Sequence, residues 1–117
     1  MKPPLDELLI DRRAAWARCA RARRCVVCGA RHPAGHHIIT KQTLSAYESI
    51  NAYDYLEVEW DLRNQLGLCE RHHAQHHARM RPVTLRELLV HQPQVIPFAR
   101  EVGLVWWLVR TYPGGQR

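Results

Sequence analysis

"LGLCERHHAQHHARM", residues 66 to 80, decides how the rest of the chain is read. Leu66 to Leu68 is short and apolar and follows the turn residues of "WDLRNQ" at 60 to 65, which suits a short buried strand. No helix breaker occurs between Glu70 and Met80, so a helix is predicted over 70–80. Residues four apart share a face of such a helix. His73 and His77 therefore stand together, His72 and His76 occupy the adjacent face, and Cys69 sits where strand becomes helix.

Cys69 and His72 repeat a spacing found earlier in the chain. "CVVCG" at 25 to 29 is a C-x2-C knuckle closed by a glycine, and Cys69-x2-His72 offers a second pair of soft or borderline ligands. Structural zinc is held by four such ligands in two close pairs, which nominates Cys25, Cys28, Cys69 and His72. Structural zinc supplies apparent binding energies of roughly 10 to 16 kcal/mol, a large gain for a small domain. Cys19 stands too far from Cys25 to make a zinc pair and reads as a buried thiol on the first helix.

Size and charge bound the possibilities. A chain of 117 residues fits one domain, and a 46% hydrophobic content with four tryptophans is enough for a core. The formal charge of +6 and pI near 9.6 favour a polyanionic partner, nucleic acid first. The opening "MKPPLDELLIDRR" has no apolar signal core, and "LVWWLV" at 104 to 109 is too short to span a bilayer. A cytoplasmic protein without a membrane partner is expected, and in that reducing setting four cysteines suit metal better than disulfides.

Around the two ligand clusters the chain reads as helices. Residues 5 to about 24 place Leu5, Leu8, Leu9, Trp16, Cys19 and Ala20 on one face, with Arg13, Arg18, Arg21 and Arg24 away from it. Ile38 and Ile39 are strand formers, and residues 43 to 57 suggest a short helix or an ordered loop. Thr84 and Glu87 make a capping box for a helix from 84 to about 91. The run 98 to 112 is apolar all round, so it suits a helix or a buried strand, in the core or as a surface for a partner.

The zinc assignment leaves histidines over. His73 and His77 are free to grip a second ion, and the pair in "AGHHIITK" at 34 to 41 is the other comparable cluster. On a strand, one of His36 and His37 can face the helix and ligate while its neighbour faces away. A neutral imidazole with a pKa of about 6.5 is suited to taking a proton from water. His32, before Pro33, and His76 read as surface residues.

Taken together, "CVVC", "HHI" at 36 to 38, Asn64 in "RNQLGLC" and "HHAQHH" at 72 to 77 resemble the HNH endonuclease family, the ββα-metal nucleases, over residues 25 to about 80. The resemblance implies an α+β fold: a ββα-metal core with a structural zinc knuckle, an N-terminal basic helix at 5–24 and a C-terminal helical extension at 84–112. It implies that His36, His73 and His77 hold a catalytic divalent ion, that His37 is the general base, and that Asn64 orients the base and its loop. Asn64 precedes His73 by nine residues, the spacing of the family motif. Two departures stand out: the family's second C-x2-C is replaced by Cys69 and His72, and residues 43 to 59 look like an insertion.

The activity implied is metal-dependent hydrolysis of DNA phosphodiesters, by nicking or double-strand cleavage, with little sequence preference. Three histidines suit Zn²⁺, Ni²⁺ or Mn²⁺ better than Mg²⁺, which prefers oxygen, although Mg²⁺ often supports enzymes of the family. Lys41, Arg71, Arg79 and Arg81 flank the site as candidate phosphate contacts. Small free-standing proteins of this kind look like phage endonucleases, some acting beside the terminase in DNA packaging. Packaging proteins, DNA and a second copy of the chain are thus the expected partners, in the host cytoplasm. The alternatives are a non-catalytic zinc-stabilised nucleic-acid binding module, which leaves His36, His37, Asn64, His73 and His77 without a task, and an adaptor docking through "LVWWLV".

Overall fold

The computed structural model describes residues 5–31, 33–40, 42–44 and 55–114. It is a small α+β structure built around a two-stranded antiparallel sheet. Helix α1 covers Leu5–Arg21 and buries Trp16 and Ala20 while Arg13, Arg18 and Arg21 stay exposed. It stops three residues earlier than expected because Arg24 is already paired with Arg31 in the knuckle.

Strands β1 (Ala34–His36) and β2 (Leu66–Leu68) pair with Gly35 opposite Gly67. Both glycines permit close approach. A β-carbon at Gly35 would lie 2.6 Å from the Trp16 ring and 2.7 Å from the Ala20 side chain, so α1 lies flush on β1. One at Gly67 would meet the Arg24 carbonyl oxygen at 2.7 Å, because the knuckle chain runs beside β2 on its other edge. There the Val26 N–H donates to the Gly67 carbonyl at 3.0 Å.

Ile38 and Ile39, expected on a strand, follow β1 in a bend. They are buried all the same. The main chain of Ile39 pairs with the side chain of Asn64 and not with a neighbouring strand. Part of the segment expected as helix or ordered loop is seen as a helical turn at 42–44 and helix α2 (Tyr55–Glu59), and its residues 45–54 lie outside the described residues.

Helix α3 covers Glu70–His77 and ends before the expected Met80, since Arg79 takes a positive φ of 58°. Helix α4 (Leu85–His91) begins at Thr84 with the expected capping box. The apolar run beyond it forms two helices, α5 (Val95–Glu101) and α6 (Val105–Thr111), separated at Gly103, whose φ is +75°. Pro97 sits in the first turn of α5, where a missing N–H breaks no helical hydrogen bond. Phe98, Leu104, Leu108 and Tyr112 pack with Leu88, Val83 and the Ile38–Ile39 bend, and the Tyr112 hydroxyl donates to the Ile38 carbonyl at 2.8 Å. Core packing thus accounts for most of the run, although Trp106 keeps 45% of its surface exposed. Among the described residues no helix is long and apolar enough to cross a membrane.

Candidate functional site

The knuckle and the start of α3 bring together the predicted zinc ligands. Gly29, with φ +75°, turns the chain so that its N–H donates to the Cys25 carbonyl, and Cys28 is left facing α3. Cys69 is the N-cap of α3 and its sulfur accepts from the His72 N–H. The ligand atoms of Cys25, Cys28, Cys69 and His72 all lie within 4.8 Å of one another.

Tetrahedral bonds of about 2.3 Å to sulfur and 2.0 to 2.1 Å to nitrogen would separate two sulfurs by about 3.8 Å and a sulfur from a nitrogen by about 3.6 Å. Cys28 and Cys69 sulfurs stand 3.8 Å apart, and His72 Nδ1 lies 3.7 Å from Cys25 Sγ and 3.1 Å from Cys69 Sγ. The group therefore fits a structural zinc ion.

Its electrostatics fit as well. Burial pushes the Cys25 thiol up, but main-chain N–H groups of Cys69, Cys28 and Val27, with the Cys28 thiol, outweigh it and bring the thiol down to about 6. The main chain of Ala30 favours a Cys28 thiolate, yet desolvation and the neighbouring Cys25 and Cys69 prevail and raise it. Sulfurs this close cannot all ionise without a cation among them, and a bound metal deprotonates a coordinating thiol outright.

The second cluster joins β1 to α3. Along β1 side chains alternate, so Gly35 meets Trp16 on the α1 side and His36 points towards α3. There the His36 ring centroid lies 5.4 Å from that of His73 and 5.1 Å from that of His77, and the His73 and His77 Nε2 atoms are 3.0 Å apart. Two metal–nitrogen bonds of about 2.0 to 2.1 Å would set nitrogens about 2.9 to 3.3 Å apart as the angle opens from square to tetrahedral. Ligand nitrogens of all three histidines fall within 4.8 Å of one another. Burial, then the imidazoles of His76, His77 and His73, push His36 down to about 3, and burial followed by His77 lowers His73. Both shifts favour the neutral imidazole, the form a metal ligand must take. Three nitrogen ligands leave coordination positions for water or substrate.

His37 continues the alternation and faces α1. Its ring stacks on Trp16 at 4.3 Å and meets the edge of Trp60 at 4.8 Å. Burial lowers its pKa, and an interaction with the Glu59 main-chain carbonyl works the other way. Its Nε2 is buried without a hydrogen-bond partner. Asn64, fully buried, accepts from the Ile39 N–H at 2.8 Å and donates to the carbonyls of Ile39 at 3.0 Å and Glu59 at 3.2 Å. One amide thus fixes the main chain after His37 and the carbonyl that its ring addresses.

The candidate phosphate contacts fall into different settings. Arg71 and Arg79 are exposed, whereas Arg81 is clasped by the Glu87 carboxylate at 2.6 and 2.9 Å, where its charge is offset. Lys41 and His32 lie outside the described residues.

His76, expected on the surface, is half-buried: its Nδ1 accepts from the Val83 N–H at 2.9 Å and its ring stacks on Tyr112. Val83 is seven residues away with no motif linking the two, so the contact left no trace in the local sequence. Trp16 and Trp60 as neighbours of His37 were equally hidden, because tertiary packing alone joins them. Cys19 is half-buried, not fully buried.

No family model matches the chain, and no curated protein and no solved structure matches it either.

Proposed function

We propose that the protein is a metal-dependent endonuclease of the HNH, ββα-metal kind acting on DNA. The observation that carries this is the convergence of one strand histidine, His36, with two histidines a helical turn apart, His73 and His77, into a three-nitrogen group with open positions. His36, His73 and His77 would hold the catalytic ion, and the Cys3His group would fix α3 beneath them. When bound, that ion supplies Lewis acidity towards the phosphoryl and leaving oxygens.

The chain's own residues do the rest. His37, whose ring interacts with the Glu59 main chain, would take a proton from the attacking water through Nε2 once that atom is uncovered from Trp16 and Trp60. The water oxygen bonds to phosphorus, the bond to the leaving oxygen breaks, and that oxygen takes a proton from solvent. Asn64 is a positioning residue: it ties the Ile39 main chain, two residues after His37, to the carbonyl of Glu59, whose main chain the His37 ring meets. The +6 charge supplies non-specific attraction to the phosphate backbone, so binding falls with salt.

A second possibility, a non-catalytic zinc-stabilised nucleic-acid binding module, is favoured by one observation: His37 Nε2 is buried beside Trp16 and Trp60 and must be uncovered to reach water. A supercoiled-plasmid assay separates the two. Wild type, His37→Ala and His73→Ala are each incubated with Mg²⁺, Mn²⁺, Ni²⁺ or Zn²⁺ and with a chelator. Nicking by wild type only with metal, lost in both variants while DNA binding persists, supports the nuclease. DNA binding without nicking under any metal hands the protein to the binding module.

A further inference from the structure

A groove of about 680 Å³ opens beside the three-histidine group, walled by His36, His76, His77 and Arg79 on one side and by Trp107 and Tyr112 on the other. Two features of its α3 wall are unexplained by metal ligation or by the hydrophobic core.

The first is the backbone of Arg79. Beyond α3 the Arg79 N–H donates to the His76 carbonyl at 3.1 Å and the Met80 N–H to the Gln75 carbonyl at 3.0 Å. These are the two hydrogen bonds of a Schellman motif, whose left-handed residue is usually glycine. Here that residue is arginine, at φ 58°. A β-carbon is strained at this φ, and the long side chain it carries is exposed in the groove wall.

The second is the tautomer of His76. Because the Val83 N–H donates to Nδ1, the proton of the neutral ring must sit on Nε2. His76 therefore carries its N–H donor on Nε2, and its ring lines the groove with Arg79, next to the rings of His36 and His77.

We infer that His76 and Arg79 form a phosphate grip, holding the phosphodiester next to the one at the three histidines. A guanidinium and a neutral N–H donor lining one groove suit an anionic phosphate oxygen pair. The identity of the anion rests on the proposed nuclease function; the grip itself rests on the donors. It gives a role to an arginine that stands where glycine would be more stable.

The test uses two variants in the full chain. Arg79→Gly relieves the backbone, and His76→Asn keeps an acceptor for the Val83 N–H while withdrawing the donor at the Nε2 position, since the shorter side chain ends its NH2 near where the histidine carries Cδ2. Binding of a fluorescein-labelled DNA duplex is followed by anisotropy across a salt series in a His37→Ala background, so that no cleavage intervenes, with melting curves in parallel. Arg79→Gly is expected to raise the melting temperature while weakening binding roughly tenfold at low salt and flattening the salt slope by about one. His76→Asn is expected to weaken binding with little change in slope.

A more stable Arg79→Gly protein with unchanged affinity and slope overturns the grip, as does unchanged affinity in His76→Asn. If the wild type cuts nothing with any metal while Arg79→Gly still flattens the slope, the grip stands and the nuclease falls. If cleavage is robust and the slope is unmoved, the nuclease stands and the grip falls.

Discussion

Removing the metal from the Cys3His group should cost this chain a large part of its stability. Cys28 and Cys69 are 41 residues apart in sequence, and an ion joining them closes that span. On the chain-entropy estimate for a cross-link, closing a loop of that length is worth about 4 kcal/mol. Coordination adds to this, so the figure is a floor. For a domain of 117 residues, about 4 °C of melting temperature accompanies each kcal/mol, which predicts a fall of roughly 15 °C. Small domains hold only about 5 to 15 kcal/mol in total, so the metal-free protein should be marginal. The assay is thermal melting by circular dichroism with and without a strong chelator, alongside metal content by mass spectrometry. Cys28→Ser repeats the perturbation without disturbing the α3 cap, which belongs to Cys69. Protein that purifies free of zinc, or that melts within about 2 °C of its loaded form after chelation, would refute the structural role.

Three further outcomes are expected. Gly35→Ala drives a β-carbon to 2.6 Å from the Trp16 ring and should lower the stability measured in urea by about 2 kcal/mol; an unchanged midpoint would mean that α1 does not lie flush on β1. Asn64→Ala strips the Ile39 N–H and the Ile39 and Glu59 carbonyls of a buried partner and should cost roughly 3 kcal/mol, with Asn64→Asp only partly restoring it because a carboxylate cannot donate. Glu87 is held below its ordinary value, first by Arg81, so its contribution is present above the unfolded carboxyl pKa of about 4.3 and is lost as pH falls through the lower folded value. Glu87→Gln should therefore be less stable than wild type at pH 7 and converge with it in acid; a gap that widens on acidification would contradict the sign.

How much of this was legible in sequence depended on whether the determining contact was local. Cys25-x2-Cys28, Cys69-x2-His72 and the His73–His77 repeat are short-range patterns tied to turn and helix geometry, and their side chains converge as the spacing implied. The Thr84–Glu87 capping box is local in the same sense and forms as expected. Alternation also predicted that His36 and His37 would part company, although it could not say that tryptophans would cover His37.

The failures are non-local or conformational. Ile38 and Ile39 have strand propensity, but the side chain of Asn64, 25 residues on from Ile39, takes the hydrogen bonds a neighbouring strand would have made. An apolar run with no period, 98 to 112, gave no sign of where it would break; Gly103 supplied the φ that broke it. Arg79 ended α3 early in a conformation that its residue type disfavours, which propensity alone does not anticipate.

Helix α3 carries ligands of both clusters, yet none of its eight residues is buried. Short helices are marginal in water, and this one has no apolar side chain wedged into the core to hold it. Among the described residues it is held by the Cys69 cap, by His76 against Val83 and Tyr112, by ring contacts with His36, and by any ions bound between it and the rest of the chain. It should therefore behave as a separately releasable unit. In hydrogen exchange its amides would open without global unfolding once metal is withdrawn, while Leu66 to Leu68, fully enclosed behind it, stay protected. Because His72 and His73 are neighbours on that one unit, filling the thiolate group would prepay the ordering of the histidine group, and the two ions should load in sequence with positive cooperativity.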